Sequence, residues 1–218
     1  MSFYKILDKS KYLLFYAKSF YYNHFKHITL ICGEDCRIKK LHLASCGKHN
    51  MLRLGNHVQL DNVTITIFGN KNEVVVNDMN YMSNVRFAIE DDGNRIEIGK
   101  QCYFGEDCLL AALEGTTIKI GDGAMVASSV QFRTSDSHSV LDENGNRMNK
   151  AEDILLGGHV WIGLGSLILK GAVIPKNCIV AAKSVVCKMK EIKENCLLGG
   201  APAKVLKENI NWDSKRTK

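Results

Sequence analysis

The chain has 218 residues, enough for one sizeable core, and its 45% hydrophobic and 24% charged content excludes a disordered or collagen-like chain. Only 2 prolines stand where average usage gives about 11, so turns fall to the 18 glycines and to asparagine. The net charge of +6 suits an anionic partner, but the lysines are dispersed and no nucleic-acid motif is present, so no nucleic-acid partner is expected.

Nine aromatic residues crowd the first 25 positions, and Phe3, Leu7, Leu14, Ala17 and Tyr21 recur near helical spacing with Lys5, Lys9, Lys11 and Lys18 among them. The pattern predicts an N-terminal helical segment over residues 1–27 that caps the next element or packs on a neighbouring subunit. Peripheral contact with a membrane surface is the alternative. No run reaches the roughly 18 apolar residues of a membrane span, and no cleavage site follows the first apolar stretch. Cytoplasmic residence is expected, at the inner membrane surface if the segment docks there.

From residue 28 the chain repeats. Leu30, Leu52, Val74, Ile96 and Ile118 are 22 apart, and Ile38, Leu60, Met82, Phe104 and Val126 form a second column at the same period. Asn50, Asn72 and Asn94 form a third, read as left-handed corner residues. In the second half the unit is six: Leu156, Ile162, Ile168, Ile174, Val180, Val186, Ile192 and Leu198 are all aliphatic. Four residues on, the side chain is mostly small, as at Val160, Ser166, Ala172, Cys178 and Ser184. Neither a helical nor a two-residue period fits, so each hexad is a short strand plus a corner and three hexads close one triangular coil. The 22-residue turns are coils with four extra residues let out at one corner. This predicts an all-β chain, a parallel β-helix solenoid over 28–206, with a tail at 207–218.

Cysteines follow the same rhythm. Cys36, Cys102, Cys108, Cys178 and Cys196 fall at the small inward position and read as buried hydrophobes. Cys32 and Cys36 lack a second pair at zinc spacing, so no metal is expected.

Between Phe132 and Leu156 the rhythm stops, and a polar, Asn- and Gly-rich stretch over 133–153 must leave the coil as one long extruded loop. It carries His138, flanked by Ser135, Asp136, Ser137 and Ser139. Imidazole suits general-base work near neutral pH, and the neighbouring carboxylate is placed to orient the ring. A solvated loop histidine is the plain alternative.

The hexads, the S-D-S-H-S loop at 135–139, H-V-W-I-G at 159–163 and G-G-A-P-A-K at 199–204 together resemble the hexapeptide-repeat acetyltransferases. Within them the chain is similar to the O-acetyltransferases of bacterial capsular and lipopolysaccharide sugars, including those acting on sialic-acid polymers. The resemblance implies a left-handed coil, a homotrimer and acetyl-CoA as co-substrate in a groove between subunits. It implies His138 as the general base and Trp161 packed beside the acetyl group and pantetheine arm, with direct transfer in a ternary complex. It places Leu164, Ala182, Lys183, Lys188 and Lys204 along that groove, Lys188 and Lys204 toward the phosphates and Lys183 either crowding the groove or adding a phosphate contact. Lys183 stands where the family has a small glycine, and Gly158 where an acidic residue is common. His159 reads as structural. The implied reaction is transfer of acetyl to a hydroxyl of a cell-surface saccharide. An amino-sugar N-acetyltransferase and a non-catalytic β-helix used for binding or assembly are the other readings.

Overall fold

A computed structural model describes residues 28–216; the helical segment expected over 1–27 lies outside them. The described chain is all-β, a left-handed parallel solenoid of about eight turns. Its cross-section is a triangle. The first face stacks seven parallel strands, from Ile28–Cys32 to Val173–Ile174. The second face carries Tyr81–Ser83, Tyr103–Phe104, Met125–Val126, Trp161–Ile162 and Ile179–Val180 in one ladder. The third carries Arg86–Glu90, Leu109–Leu113, Gln131–Arg133, Leu167–Leu169 and Val185–Val186. In the first two coils the long strands Arg37–Cys46 and Gln59–Phe68 run on around the corner between these two faces.

The repeat columns are the ladder itself. Leu30 pairs with Leu52, Leu52 with Val74, Val74 with Ile96, and Ile96 with Ile118. Phe132 pairs with Ile168 and Ile168 with Val186. These side chains point inward, and Val74, Ile96, Ile118, Phe132, Ile168 and Val186 are all fully buried. Each such burial contributes about 1.5–3 kcal/mol. Cys36, Cys102, Cys108, Cys178 and Cys196 are buried as the hexads require, and burial pushes the Cys102 and Cys108 thiols up to about 11, so both stay neutral and inert.

Four details differ from expectation. Asn50, Asn72 and Asn94 are not in left-handed conformations; those belong to the residues just before them, His49 (φ 60°), Lys71 (φ 56°) and Gly93 (φ 74°). The asparagines are buried and form an internal ladder, the Asn72 N–H donating to Asn50 Oδ1 at 3.0 Å and the Asn94 N–H to Asn72 Oδ1 at 2.8 Å. The side-chain amide of Asn72 caps the carbonyl of Asp91 at 2.9 Å. A buried carbonyl at each corner needs a donor, and asparagine supplies one while accepting the next coil's N–H.

The four extra residues of the early coils do not simply bulge. They lengthen the third face, where Arg86–Glu90 and Leu109–Leu113 have 5 residues against 3 in Leu167–Leu169. The long loop leaves at the same corner, but Arg133 is still in strand, paired with Leu169, so the excursion starts at Thr134. Finally, no strand forms at Ile192. Its neighbours are Lys190, Glu191, Lys193 and Glu194, and Ile192 is only half-buried against the core beside Met189.

Left-handed corners turn the coil. His57, Met79, Gln101, His159, Asn177 and Asn195 all have φ between 56° and 60°, apart from His159 at 54°. Such a conformation costs a residue with a Cβ roughly 1–2 kcal/mol, and each is held by its N–H donating to the neighbouring coil, as His159 does to Asp122 at 2.7 Å. Beside them the backbones come so close that a Cβ on Gly121 would lie 2.5 Å from the Gly157 carbonyl carbon. In the hexad coils, two-residue strands joined by such corners carry too little twist to impose the right-handed crossover of longer parallel strands.

Candidate active site

The loop over 134–153 is tied down at its base. Buried Thr134 accepts the Leu113 N–H through Oγ1 at 3.0 Å, and its carbonyl takes the Glu152 N–H at 3.0 Å, so both loop ends are fixed to one rung. Beyond it the chain forms a small hairpin, Leu141 bridging Arg147, around Asn144 and Gly145 (φ 79°). Arg147 on the returning arm reaches Glu114 on the solenoid with two hydrogen bonds of 2.6 and 2.9 Å, and Ser135 donates to the same carboxylate at 2.5 Å. The Arg147 guanidinium and the Ser135 hydroxyl hold the Glu114 carboxyl down at about 2.

His138 stands exposed on this anchored segment. Its backbone carbonyl accepts Asn149 Nδ2 at 2.8 Å, and Asn149 Oδ1 accepts the Val140 N–H at 2.7 Å. The carboxylate two residues earlier does not orient the imidazole. Asp136 is turned to Lys170 at 2.6 Å and to Asn149 at 2.7 Å, and the Lys170 ammonium holds it below the usual carboxylate range. Ser137 between them has φ 65°, so the two side chains do not line one extended face, and the cation on the next coil captures Asp136. What is held at His138 is therefore its backbone. The clamp belongs to Asn149, Arg147, Glu114 and Lys170, none of which sequence adjacency indicated; the Asn144–Gly145 turn was the signal that the loop doubles back.

Other sequence-selected residues lie on a different edge. Trp161 opens a second-face strand, the residue 39% exposed, between the Met125 and Ile179 rungs. Leu164, 50% exposed, and exposed Ala182 and Lys183 (φ 59°) stack at the corner between the second and third faces, the Lys183 N–H donating to Leu164 O at 2.8 Å. The Lys183 side chain lies over Gly165. Lys204 is exposed on the closing antiparallel strand Ala203–Lys207, paired opposite Gly199. Lys188 is not with them. It sits at the loop's corner and is ion-paired with Glu152. The chain thus gathers Trp161, Leu164, Ala182, Lys183 and Lys204 along one side, and places His138 with Lys188 at the corner between the third and first faces.

Sequence reading missed Trp212. Its ring is stacked on His159 at 4.2 Å and 6°, its Nε1 donates to the His159 carbonyl at 2.9 Å, and it meets Trp161 at 5.9 Å and 46°. His159, structural in that it forms the left-handed corner, is also the seat of this ring, and its Nδ1 faces Asn177 Oδ1 at 3.1 Å. The available signal was scarcity, since the chain has 2 tryptophans and Trp161 is the other. Among the described residues no cluster of histidine, cysteine or acidic side chains is arranged to hold a metal.

No family model matches the chain. It is 33% identical over 187 residues to the polysialic acid O-acetyltransferase of Neisseria meningitidis, covering 79% of this chain and 80% of that protein. Among solved structures, the polysialic acid O-acetyltransferase OatWY is 27% identical and superposes with a TM-score of 0.66 over 86% of this chain and 93% of that one. The polySia-specific acetyltransferase NeuO, at 24% identity, shares the fold with a TM-score of 0.79 over 88% of this chain and 80% of that one. With a repeat stacked in register through the described residues, one anchored histidine loop and relatives of this kind over most of its length, the chain belongs to the hexapeptide-repeat acetyltransferases, the family that includes the polysialic acid O-acetyltransferases.

Proposed function

We propose that this enzyme transfers acetyl from acetyl-CoA to a hydroxyl of a cell-surface saccharide, with sialic-acid-containing polymers as the acceptor class. His138 takes the proton of the acceptor hydroxyl as its oxygen attacks the thioester carbonyl. The tetrahedral adduct collapses, the C–S bond breaks, and the imidazolium returns the proton to the departing thiolate, leaving an acetyl ester and free CoA. Trp161, Leu164 and Ala182 line the donor arm; Lys183 and Lys204 face its phosphates. Lys188, held by Glu152, serves the phosphates less directly.

The observation that carries the reading is that the single long interruption of the solenoid presents one imidazole on a backbone clamped by Asn149 and anchored through Arg147 and Glu114. A loop serving only as a spacer has no need of that anchoring. The acceptor class draws support from the name of the Neisseria relative and from the net charge of +6. Because His138 and the Trp161 edge lie at different corners, a working site takes the histidine from one protomer and the donor groove from the next, in a homotrimer acting on the cytoplasmic side.

The test is transfer of labelled acetyl from acetyl-CoA to a panel of purified saccharides, with product position read by NMR. His138→Ala is expected to lower turnover by about 10²–10⁴-fold with the fold intact. Undiminished turnover in that variant removes the base. Equal rates on neutral and sialylated acceptors remove the acidic-sugar preference.

A further inference from the structure

The tail beyond Lys207 returns to the solenoid and lays Trp212 against the corner that presents Trp161. Three contacts fix the ring: the parallel stack on His159, the Nε1 bond to the His159 carbonyl and the tilted contact with Trp161. The two indoles adjoin, Trp161 exposed between the Met125 and Ile179 rungs and Trp212 half-buried against the His159 corner. Two polar atoms here are engaged, Trp212 Nε1 by the His159 carbonyl and His159 Nδ1 by Asn177, so the Trp212 ring itself offers apolar contact. An extended, uncharged acyl-thioester arm packed on Trp161 also meets the Trp212 ring, whose centroid lies 5.9 Å away.

We propose that Trp212 is a binding residue for the acyl donor, forming with Trp161 the wall against which the thioester arm lies, so that the C-terminal tail is part of the donor site. This rests on the reading of Trp161 as donor-groove residue, and the experiment separates the two. The chain has 2 tryptophans, so W161F and W212F are each single-tryptophan proteins. Coenzyme A is titrated into both full-length variants while indole emission is followed. The expected result is a saturable change in W161F, which reports Trp212, as well as in W212F, which reports Trp161. W212A should raise KM for acetyl-CoA about three- to tenfold with KM for the saccharide unchanged, and W212F should restore most of the loss.

A response in W212F with silence in W161F overturns the role of Trp212 and leaves the donor groove standing. Silence in both overturns the groove as well. Acrylamide quenching of the unmodified protein guards against a misfolded variant: saturating coenzyme A should shield both emitters, and shielding of one alone counts against the proposal.

Discussion

Asn72 shows what a repeat column means at the level of one residue. Its period was legible because each coil makes the same demand, yet its role was misread, since a column in sequence does not say which way the side chain points. The structure turns it inward, fully buried, accepting the N–H and Nδ2 of Asn94 and donating to the Asp91 carbonyl. Removing it strands those buried groups at about 1–3 kcal/mol each. Asn72→Ala should therefore cost about 2–4 kcal/mol in urea unfolding with no change in the denaturant slope. A loss below about 0.5 kcal/mol would mean that water substitutes for the amide and the ladder is not a stability element. Trp212 marks the opposite limit of legibility: it is bonded to a residue 53 positions away, and no local period announces such a contact.

Among elements, the extruded loop is set by its ion pairs. Its existence was plain from the halted hexads, but its anchoring depends on Glu114, which lies 33 residues from Arg147 on a different coil. Glu114 has a folded value of about 2 against an ordinary 4.5, so the anchoring is fully present above about pH 4.5 and fades as pH falls toward 2. Glu114→Gln removes the charge at any pH. Trypsin should then cut after Arg147 or Lys150 several-fold faster than in the unmodified protein, with the solenoid left whole. Unmodified protein at about pH 3 should show the same loosening of the loop by hydrogen exchange, while the strands keep their protection. If neither treatment changes the loop, the Arg147–Glu114 pair is a surface pair of no consequence, as many are.

At the scale of the whole molecule, a triangular prism separates its own chemistry. His138 projects from the corner between the third and first faces, while Trp161, Leu164 and Ala182 line the second face and its far corner. A shared site predicts complementation. His138→Ala and Trp161→Ala variants, each nearly inactive, should regain up to about one quarter of unmodified activity when refolded together, because a quarter of randomly formed interfaces combine one intact loop with one intact groove. Failure of every mixture to exceed its parents would place the complete site within one protomer.

By itself the sequence determined the solenoid, its coil length, the inward columns that include five cysteines, and the one place where a loop departs. Each of these repeats at a fixed interval or interrupts it, so local chemistry is enough to reveal it. Only the tertiary structure decided that Asp136 serves Lys170 rather than His138, that the asparagines bond between coils, and that the tail brings Trp212 to Trp161. Those are contacts between coils or across tens of residues, and their partners are selected by the packing of the finished prism rather than by any period along the chain.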